Sequence, residues 1–351
     1  MPSHLGIRSS VKIVARNVLT WILRRLIVTI LVVLIGLTLL FVATRISPRD
    51  PASELIGRIT GYGGGLSGEE LENMRRVVLQ LYGLDKPIHE QYLDFLKGVL
   101  TWNFGPSLAF FPSQVQDIIS RNIWWTILLM ITTLVISWAA GILLGVLASY
   151  FERSRLSKAF LVLSSALYPL PYVILALVLF MIFSILIPIY KGVGGTGFVQ
   201  PSLSWDFVLA VISRAWLPAL SLIVLWIAMW FLTTYLLGLS LKREDYIFYA
   251  EVRGLSRGNI VLGYMGKNVL LPQITALILN LGNMFSGALV TEYMFSYPGL
   301  GYLMMLALQR ADFNLLLGIC SYSIVGVAVA GLILDTIYPL IDPRIRYGFK
   351  E

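Results

Sequence analysis

Residues that could carry out catalysis are few in this chain and lie far apart. The two histidines, His4 and His89, are distant in sequence, and the membrane topology derived below puts them on opposite sides of the bilayer. No histidine-based metal site or Ser-His-Asp relay can be assembled from them. An intramembrane aspartyl hydrolase would need two carboxylates facing each other at depth. The acids of the apolar part lie only near the ends of its apolar runs: Glu292, Asp312, Asp335 and Asp342. The sequence therefore argues against an enzyme.

A glycine-rich stretch at residues 57–68, GRITGYGGGLSG, invites comparison with a phosphate-binding loop. Such a loop needs a lysine followed by Ser or Thr after its glycines, because the lysine reaches the phosphates. No lysine follows Gly65 or Gly68, and G-x-x-x-x-G-K-[ST] occurs nowhere in the chain. The sequence predicts a mobile loop here and no ATP hydrolysis by this chain.

Polar residues recur on one face of an apolar segment in the C-terminal third. Steps of seven, three and four residues separate Gln273, Asn280, Asn283 and Gly287, which places them on one side of a helix. Polar groups in a membrane face protein or a water-filled cavity, so these residues are candidates for lining a translocation path. The alternative is that Asn280 and Asn283 hydrogen-bond to neighbouring helices, each bond contributing roughly 1 kcal/mol.

Glu292 follows this polar face and precedes the motif SYPGLG. The proline and glycines of that motif disfavour a continuous helix. Broken backbone at membrane depth is tolerated where it is buried in protein or lines a cavity, so the motif is a candidate outer gate. The gate residues are Tyr297, Pro298, Gly299 and Gly301. Glu292 either ends the translocation path or is a structural carboxylate bonded to loop amides.

A second candidate site is the polar stretch at residues 245–272, which lies between two long apolar segments. Its first part, DYIFYAEVRG, predicts a short helix that ends at Gly254, a residue suited to a helix C-cap. Helical spacing gives two stripes: Tyr246, Tyr249, Ala250 and Arg253 on one, Ile247 and Glu251 on the other. Such a helix, held by membrane segments at both ends, can be pushed by a soluble partner. The alternative is a linker with aromatic residues at the membrane interface.

The elements that must position these residues are membrane helices. Of the 351 residues, 57% are hydrophobic and 13% are charged, against roughly 25% charged in soluble domains. Six uncharged runs reach the length of about 20 residues that crosses a hydrocarbon core, where backbone must be helical. They are residues 26–44, 124–150, 159–190, 215–241, 268–291 and 313–334. We expect an all-α membrane protein with six transmembrane helices and both termini on one side.

The orientation follows from the basic residues. If the N-terminus is cytoplasmic, the inner segments carry 16 of the 27 Lys and Arg residues, while the short outer loops carry only Lys191, Arg214 and Arg310. Both termini are then cytoplasmic, in a multi-pass protein of the cell membrane. The net charge of +8 is scattered over four membrane-flanking segments, which argues against a nucleic-acid partner.

Three parts follow from this topology. Residues 1–45 form a cytoplasmic N-terminus and the first helix, residues 46–121 an extracellular helical cap, and residues 122–351 a core with helices two to six and a loop at 242–267. In the cap, Ser67 and Glu70 form a capping box before one helix, and Pro87 precedes a second. Three prolines should kink or end their helices: Pro169, Pro171 and Pro218. Two small-xxx-small pairs should allow close helix packing: Gly141 with Gly145, and Gly326 with Ala330.

The loop sequence DYIFYAEVRGLSRGNIVLGYMGKNVLLPQIT resembles the EAA-type loop of ABC-transporter membrane subunits, in the version of the dipeptide/oligopeptide-type permeases. The matching positions are Ala250, Gly254, Leu255, Ser256, Asn268, Leu270, Leu271 and Pro272. TEYMFSYPGLG at residues 291–301 and LDTIYPLIDPRIRYG at residues 334–348 are similar to two further motifs of that family. The outer LYGLDKPIHEQYLDFLKGVLTWNFGPSL is similar too, so the resemblance covers nearly the whole chain.

The resemblance implies the membrane-spanning subunit of an ABC importer for peptides or similar-sized solutes such as oligosaccharides, working by alternating access. A coupling helix in the loop after the fourth helix would dock into a groove of a cytoplasmic ATPase. The residues assigned to this coupling are Asp245, Tyr246, Tyr249, Ala250, Glu251, Arg253, Gly254 and Leu255. The implied partners are a second related permease, two ATPases that bind ATP and Mg, and an external substrate-binding protein. The chain itself would hold no cofactor or metal.

The loop departs from the family pattern at Phe248, which stands where the first glutamate is expected, and at Gly258, Gly263 and Gly266. An ion-coupled secondary transporter is the alternative from another class. It would need an intramembrane carboxylate or cation for coupling, and the uncharged centres of the six runs argue against it. A receptor or scaffold would leave the coupling loop without a role.

Overall fold

The computed structural model describes residues 4–61, 67–190 and 204–341. The side chains of residues 4–19, 22, 58–59, 61, 207–208, 210, 278–288, 334–335 and 337–341 lie outside this description. The described elements are α1 (His4–Ile46), α2 (Pro51–Gly61), α3 (Gly68–Leu81), α4 (Ile88–Thr101), α5 (Val115–Tyr150), α6 (Arg155–Leu167), α7 (Tyr172–Phe180), α8 (Trp205–Lys242), α9 (Asp245–Val252), α10 (Lys267–Met294), α11 (Leu300–Gln309) and α12 (Phe313–Ile341). There are also two π-helical segments in the described residues. The first, Met181–Leu186, follows α7, and the second, Asn259–Gly266, precedes α10.

The described helices fit a membrane protein. Four spans are long and apolar enough to cross a bilayer within the described residues: Leu23–Ile46, Val115–Tyr150, Val211–Lys242 and Phe313–Ile333. A bent helix pair, Arg155–Leu167 with Tyr172–Leu186, is a fifth candidate. The predicted all-α membrane class is confirmed. The count of six spans stays a prediction, because residues 278–288, at the centre of α10, are among those whose side chains are not described.

The third apolar run, residues 159–190, is broken where its prolines predict a kink or a helix end. The chain bends by 104° between Arg155–Leu167 and Tyr172–Leu186. Pro169 and Pro171 lie at this break, and Pro171 is the N-cap of α7. Proline lacks the N–H that a helix interior needs and disfavours helical backbone before it, so the two prolines end one helix and start another. Pro218, by contrast, lies inside α8, which continues past it.

The prediction of a loop at residues 57–68 is wrong for residues 57–61, which belong to α2. The helix begins where Asp50 caps it: Asp50 Oδ1 accepts from the Ala52 N–H at 3.1 Å. Pro51 occupies the first helical position, where its missing N–H costs nothing. Residues 62–66 lie outside the described part of the chain.

By contact, the chain groups into two compact units, Met1–Asp117 with Ala307–Glu351 and Ile118–Leu306. In the first unit, a cluster of Leu37, Phe41, Phe95, Val99 and Leu317 joins α1, α4 and α12. The capping box is confirmed, since the Ser67 N–H donates to Glu70 Oε2 at 2.7 Å and the Glu70 N–H to Ser67 Oγ at 3.3 Å. The division at residues 45 and 121 concerns membrane topology and stays a prediction.

In the second unit, α5 and α8 approach closely. A Cβ on Gly141 would collide with Trp230, and a Cβ on Gly145 would lie 2.6 Å from Cβ of Thr234. This close approach agrees with the small-xxx-small prediction for α5. The same prediction finds no support at Gly326, because a Cβ there would meet no described atom within 4 Å.

Candidate functional site: the α9 loop and the loop after α10

Helix α9 is the short helix predicted from the loop sequence, and it ends at the predicted glycine. Gly254 adopts φ +72°, a left-handed conformation that glycine enters without a Cβ clash. The Gly254 N–H donates to Glu251 O at 2.9 Å, and the Leu255 N–H donates to Ala250 O at 3.2 Å. These two bonds form a Schellman motif, which satisfies carbonyls at the helix end.

One face of α9 is buried and the other is exposed. Ile247 and Ala250 are 1% and 3% exposed. On the opposite face, Phe248, Tyr249 and Val252 are 62%, 63% and 67% exposed. The buried face packs into a cluster with residues of α5, the second π-helical segment and α10: Ile142, Val146, Ile260, Val261, Met265 and Val269. The exposed face is the part of α9 that is free to contact another molecule.

This division separates residues that the sequence placed on one stripe. Ala250 faces the interior, whereas Tyr249 and Arg253 are exposed and Tyr246 is 36% exposed. The four residues of the predicted stripe, Tyr246, Tyr249, Ala250 and Arg253, therefore do not form one exposed surface. Six of the eight α9 residues are apolar or aromatic, so the sequence of α9 has no polar face that would have indicated which side is outward.

Polar contacts join the ends of α5 and α8 next to α9. The Tyr150 side chain lies beside the Glu251 carboxylate of α9. Lys242 Nζ donates to Tyr150 O at 2.9 Å and to Glu152 Oε1 at 3.0 Å, and it lies 5.7 Å from the Tyr150 ring centroid. The hydrogen bond from Lys242 lowers the pKa of the Glu152 carboxyl below its ordinary value. These contacts tie the end of α8 to the end of α5, next to α9.

Sequence reasoning did not single out Tyr150, Glu152 and Lys242 as a group. Each stands at the end of an apolar run, where interfacial aromatic and charged residues are ordinary. Their spacing does not indicate that they are in contact, because residues 150 and 242 are brought together only by the tertiary structure.

At the start of α10, Gln273 lies between helices and is 3% exposed. Its Nε2 is 3.5 Å from Thr233 Oγ1, and its backbone carbonyl oxygen accepts from Trp138 Nε1 at 3.4 Å. Its side-chain Oε1 is buried without a hydrogen-bond partner among the described residues, so its assignment to the translocation path stays a prediction. The other predicted path residues of α10, Asn280, Asn283 and Gly287, fall in 278–288, outside the described side chains, so their assignment stays a prediction.

At the other end of α10, Glu292 is fully buried. Its Oε2 accepts from the Gly301 N–H at 2.6 Å, and its Oε1 has no hydrogen-bond partner among the described residues. The Thr126 side chain lies beside the carboxylate. Thr126 Oγ1 in turn accepts from the Leu300 N–H at 2.9 Å. Of the two interpretations left open by the sequence, a structural carboxylate is closer to these contacts, although the one amide bonded to it, that of Gly301, lies at the start of α11 and not in the loop. The role of Glu292 as a path residue is not supported by them.

The helix break at SYPGLG is confirmed, since α10 ends at Met294 and α11 begins at Leu300. The intervening loop is part of the core. Tyr297 is fully buried, donates its hydroxyl to Trp125 O at 3.2 Å and packs edge to face on the Trp125 ring at 5.7 Å. A Cβ on Gly299 would overlap the Glu292 carboxylate. Pro298, Gly299 and Gly301 are buried as well, and a gating role for this loop stays a prediction.

Two models of one protein family match this chain. The model of the family described as "Binding-protein-dependent transport system inner membrane component" matches residues 141–347. The model of the corresponding N-terminal region matches residues 18–108.

Individual relatives are similar over nearly their whole length. The chain is 28% identical to the "Probable peptide ABC transporter permease protein y4tP" of Sinorhizobium fredii, over 93% of this chain and 99% of the relative. It is 28% identical to the "Dipeptide transport system permease protein DppB" of Escherichia coli, over 94% and 99%. It is also 28% identical to the "Oligopeptide transport system permease protein AppB" of Bacillus subtilis, over 93% and 99%.

Proposed function

The chain belongs to the family of binding-protein-dependent transport system inner membrane components, and we propose that it is the permease subunit of an ATP-driven importer of peptides or similar-sized solutes such as oligosaccharides. Its relatives carry peptide, dipeptide and oligopeptide transport in their names. The transport cycle alternates access between the two sides of the membrane, and a separate ATPase supplies the energy.

The observation that carries the proposal is the two-faced geometry of α9. Three large apolar side chains, Phe248, Tyr249 and Val252, stand more than 60% exposed on one short helix. Exposed aromatic clusters of this kind are typical of protein interfaces, where they fill pockets of a partner. Phe248, which departs from the family pattern, thereby becomes an apolar contact in place of an acidic one.

The opposite face of α9 explains how movement reaches the membrane helices. Ile247 and Ala250 pack against α5, the π-helical segment and α10 in one buried cluster. Closely packed interiors have low compressibility, so they transmit displacement. A force on the exposed face of α9 is therefore passed to α5 and α10 together.

The proposed assembly contains this chain, a second related permease, two cytoplasmic ATPases and an extracellular substrate-binding protein. ATP and Mg are bound by the ATPases. The chain crosses the cell membrane six times with both termini in the cytoplasm, so that α9 meets the ATPase there. An ion-coupled transporter would need a carboxylate able to exchange ions with water. Glu292 is instead fully buried, and its Oε2 accepts from the Gly301 N–H of α11.

The test is the double variant Phe248→Asp, Tyr249→Asp. We expect it to insert and fold normally, because both side chains are exposed, and to lose ATP-dependent uptake. Uptake of labelled dipeptide is measured in proteoliposomes that contain the whole transporter, and ATPase retention is measured by co-purification with the permease. Both readings should fall at least tenfold, since central aromatic residues of interfaces contribute roughly 2 kcal/mol or more each.

The matched control is Leu156→Asp. Leu156 is 73% exposed but lies in the first turn of α6, where an acidic residue is favourable. It should leave uptake and co-purification unchanged. Normal uptake and normal ATPase retention in the double variant would contradict the docking role of α9.

A further inference from the structure

Helix α4, which the sequence predicts as part of an extracellular cap, packs against the sides of the membrane helices α1 and α12. Near its start, the hydroxyl oxygens of Tyr92 and Thr38 of α1 lie 2.7 Å apart. Directly after its end, the ring centroids of Trp102 and Tyr322 of α12 lie 4.2 Å apart. How deep α4 lies therefore follows from how deep Thr38 and Tyr322 lie.

The charges at the two ends of the first span fix the depth of Thr38. Residues 26–44 are uncharged and stand between Arg25 and Arg45. At 1.5 Å per residue this run is about 28 Å long, against a hydrocarbon core of about 30 Å, so all of it is needed to cross the membrane. Thr38 comes seven residues before Arg45, which places it about 10 Å below the outer end of the run.

The packing of α12 on α1 gives Tyr322 a similar depth. A Cβ on Gly36 would lie 3.3 Å from Ile324 Cγ2, so these two residues are level. In the predicted topology α12 begins on the outer side, so Tyr322, two residues before Ile324, is about 3 Å nearer that side. Gly36 is nine residues before Arg45, which leaves Tyr322 about 10 Å deep. Both ends of α4 thus contact side chains at one depth, as a helix parallel to the membrane plane does.

Two flanks of different chemistry lie on either side of the face that α4 buries. The leucine flank has residues three and four positions apart, two of them 62% and 83% exposed: Leu93, Leu96 and Leu100. His89, also exposed, precedes Leu93 by one turn on this flank. The polar flank has the same spacing and is exposed throughout: Glu90, Asp94, Lys97 and Thr101. The buried face between the flanks is formed by Phe95, Gly98 and Val99.

The depth and the two flanks together match a helix in the membrane interface. Such a helix lies in the membrane plane, with its apolar side about 5–10 Å into the boundary between headgroups and acyl chains and its polar side in water. The leucine flank also continues a surface that lipid covers. Leu39 of α1, six residues before Arg45 and so about 9 Å deep, is 65% exposed.

We propose that α4 lies in the outer leaflet of the bilayer, with its leucine flank in contact with lipid acyl chains and its polar flank facing the headgroups and water. The segment between the first two spans is then only partly extracellular. Helix α3 stays in water, since its Arg75 pairs with Asp50 beyond the end of α1 at 3.2 Å. The proposal rests on the membrane topology of the chain and not on the coupling role of α9.

Spin-label accessibility tests the position of α4. The variants Leu93→Cys, Leu100→Cys and Lys97→Cys are made in a Cys320→Ala background, because Cys320 is the only cysteine of the chain. The full-length protein is labelled in lipid nanodiscs. Collisions of the label with oxygen, which concentrates in hydrocarbon, are compared with collisions with a water-soluble nickel chelate. We expect oxygen to dominate at residues 93 and 100 and the nickel chelate to dominate at residue 97.

Two matched positions calibrate the measurement. Leu39→Cys gives the oxygen-to-nickel ratio of a side chain in lipid. Val77→Cys gives the ratio of an apolar side chain on α3 in water, because Val77 is 60% exposed, about as much as Leu93. The ratio at residues 93 and 100 should match that at residue 39 and exceed that at residue 77 severalfold. The same result is expected in the assembled transporter, where lipid still covers the leucine flank.

A charge in place of a leucine tests the same contact without a label. Leu93→Asp should lower the unfolding temperature of the protein in nanodiscs, because a carboxylate among acyl chains is costly. Val77→Asp makes the equivalent change on α3 and should leave the unfolding temperature unchanged. Equal unfolding temperatures of the two variants would contradict the placement of α4 in the leaflet.

The accessibility ratios distinguish the ways in which the proposal can fail. Ratios at residues 93 and 100 equal to that at residue 77 would place α4 in water and overturn the proposal, while leaving the coupling role of α9 intact. Protection of these labels from both reagents in the assembled transporter would show a protein partner on the leucine flank instead of lipid. Dominance of the nickel chelate at residue 39 as well would show that residues 26–44 do not cross the membrane, and the transporter assignment would fail with it.

Discussion

The two loops at the ends of α10 differ in what they do with their aromatic residues. The loop before α10 leaves Phe248 and Tyr249 more than 60% exposed, whereas the loop after it buries Phe295 and Tyr297 to 1% and 0% exposure. Both loops contain glycine and aromatic residues, and both interrupt the apolar pattern. The difference lies in the surroundings: Tyr297 is surrounded by Trp125 and Glu292, whereas Tyr249 is exposed to solvent.

This comparison separates a loop that belongs to the core from a loop with a free face. Residues of the loop that belongs to the core are needed for folding, and their replacement should lower the stability of the protein. Residues on the free face should tolerate replacement in folding but not in partner binding. The following changes test that distinction in order of expected effect.

The largest effect is expected at Gly301. A Cβ there would collide with the backbone of Leu289, and backbone cannot move aside as a flexible side chain can. Gly301→Ala should cost about 3 kcal/mol or more and abolish monodisperse protein in size-exclusion chromatography.

The matched change in the other loop is Gly258→Ala. A Cβ at Gly258 would meet no described atom within 4 Å, and its φ of −61° suits any residue. This variant should fold with unchanged stability or gain up to about 1 kcal/mol. If Gly301→Ala and Gly258→Ala gave the same yield, the proposed difference between the two loops would be wrong.

Within α9, Ile247→Ala should destabilise the protein by about 2–5 kcal/mol, because it removes buried methyl groups from a packed cluster. Val252→Ala truncates an aliphatic side chain on the exposed face and should change stability by less than about 0.5 kcal/mol. Thermal unfolding in detergent measures both. Equal unfolding temperatures would show that α9 has no buried face.

The smallest effect is expected at Glu152. Its pKa is lowered in the folded protein by the hydrogen bond from Lys242, so its contribution is present above the unfolded pKa and is lost as the pH falls through the folded pKa. Glu152→Gln should therefore lower the free energy of unfolding at about pH 7 by no more than about 1 kcal/mol. The difference from the wild type should shrink as the pH falls below the ordinary pKa of glutamate. A larger difference at low pH would contradict the assigned ion pair.

Local signals in the sequence predict several elements of this fold. The Ser67 capping box and the start of α4 after Pro87 are found where they are predicted. The end of α9 at Gly254 is predicted by the same kind of reasoning. The sequence also contains a signal for the start of α2, since Asp50 followed by Pro51 is typical of a helix N-cap. The glycines that follow indicated a loop instead.

Other features depend on residues that are far apart in the chain. The Leu300 N–H donates to Thr126 Oγ1, and Lys242 bonds to Glu152 and Tyr150 O. No spacing rule connects such pairs, because it is helix packing that brings them together. The sequence alone could name Glu292 as a candidate without distinguishing a path residue from a structural one.

By itself, the amino-acid sequence determined the membrane class, the family and the positions of most helix ends, because apolar length, caps and prolines act locally. Only the tertiary structure decided which face of α9 is buried. An eight-residue helix with apolar side chains on nearly every side has no amphipathic pattern, so its orientation is set by the cluster it packs against.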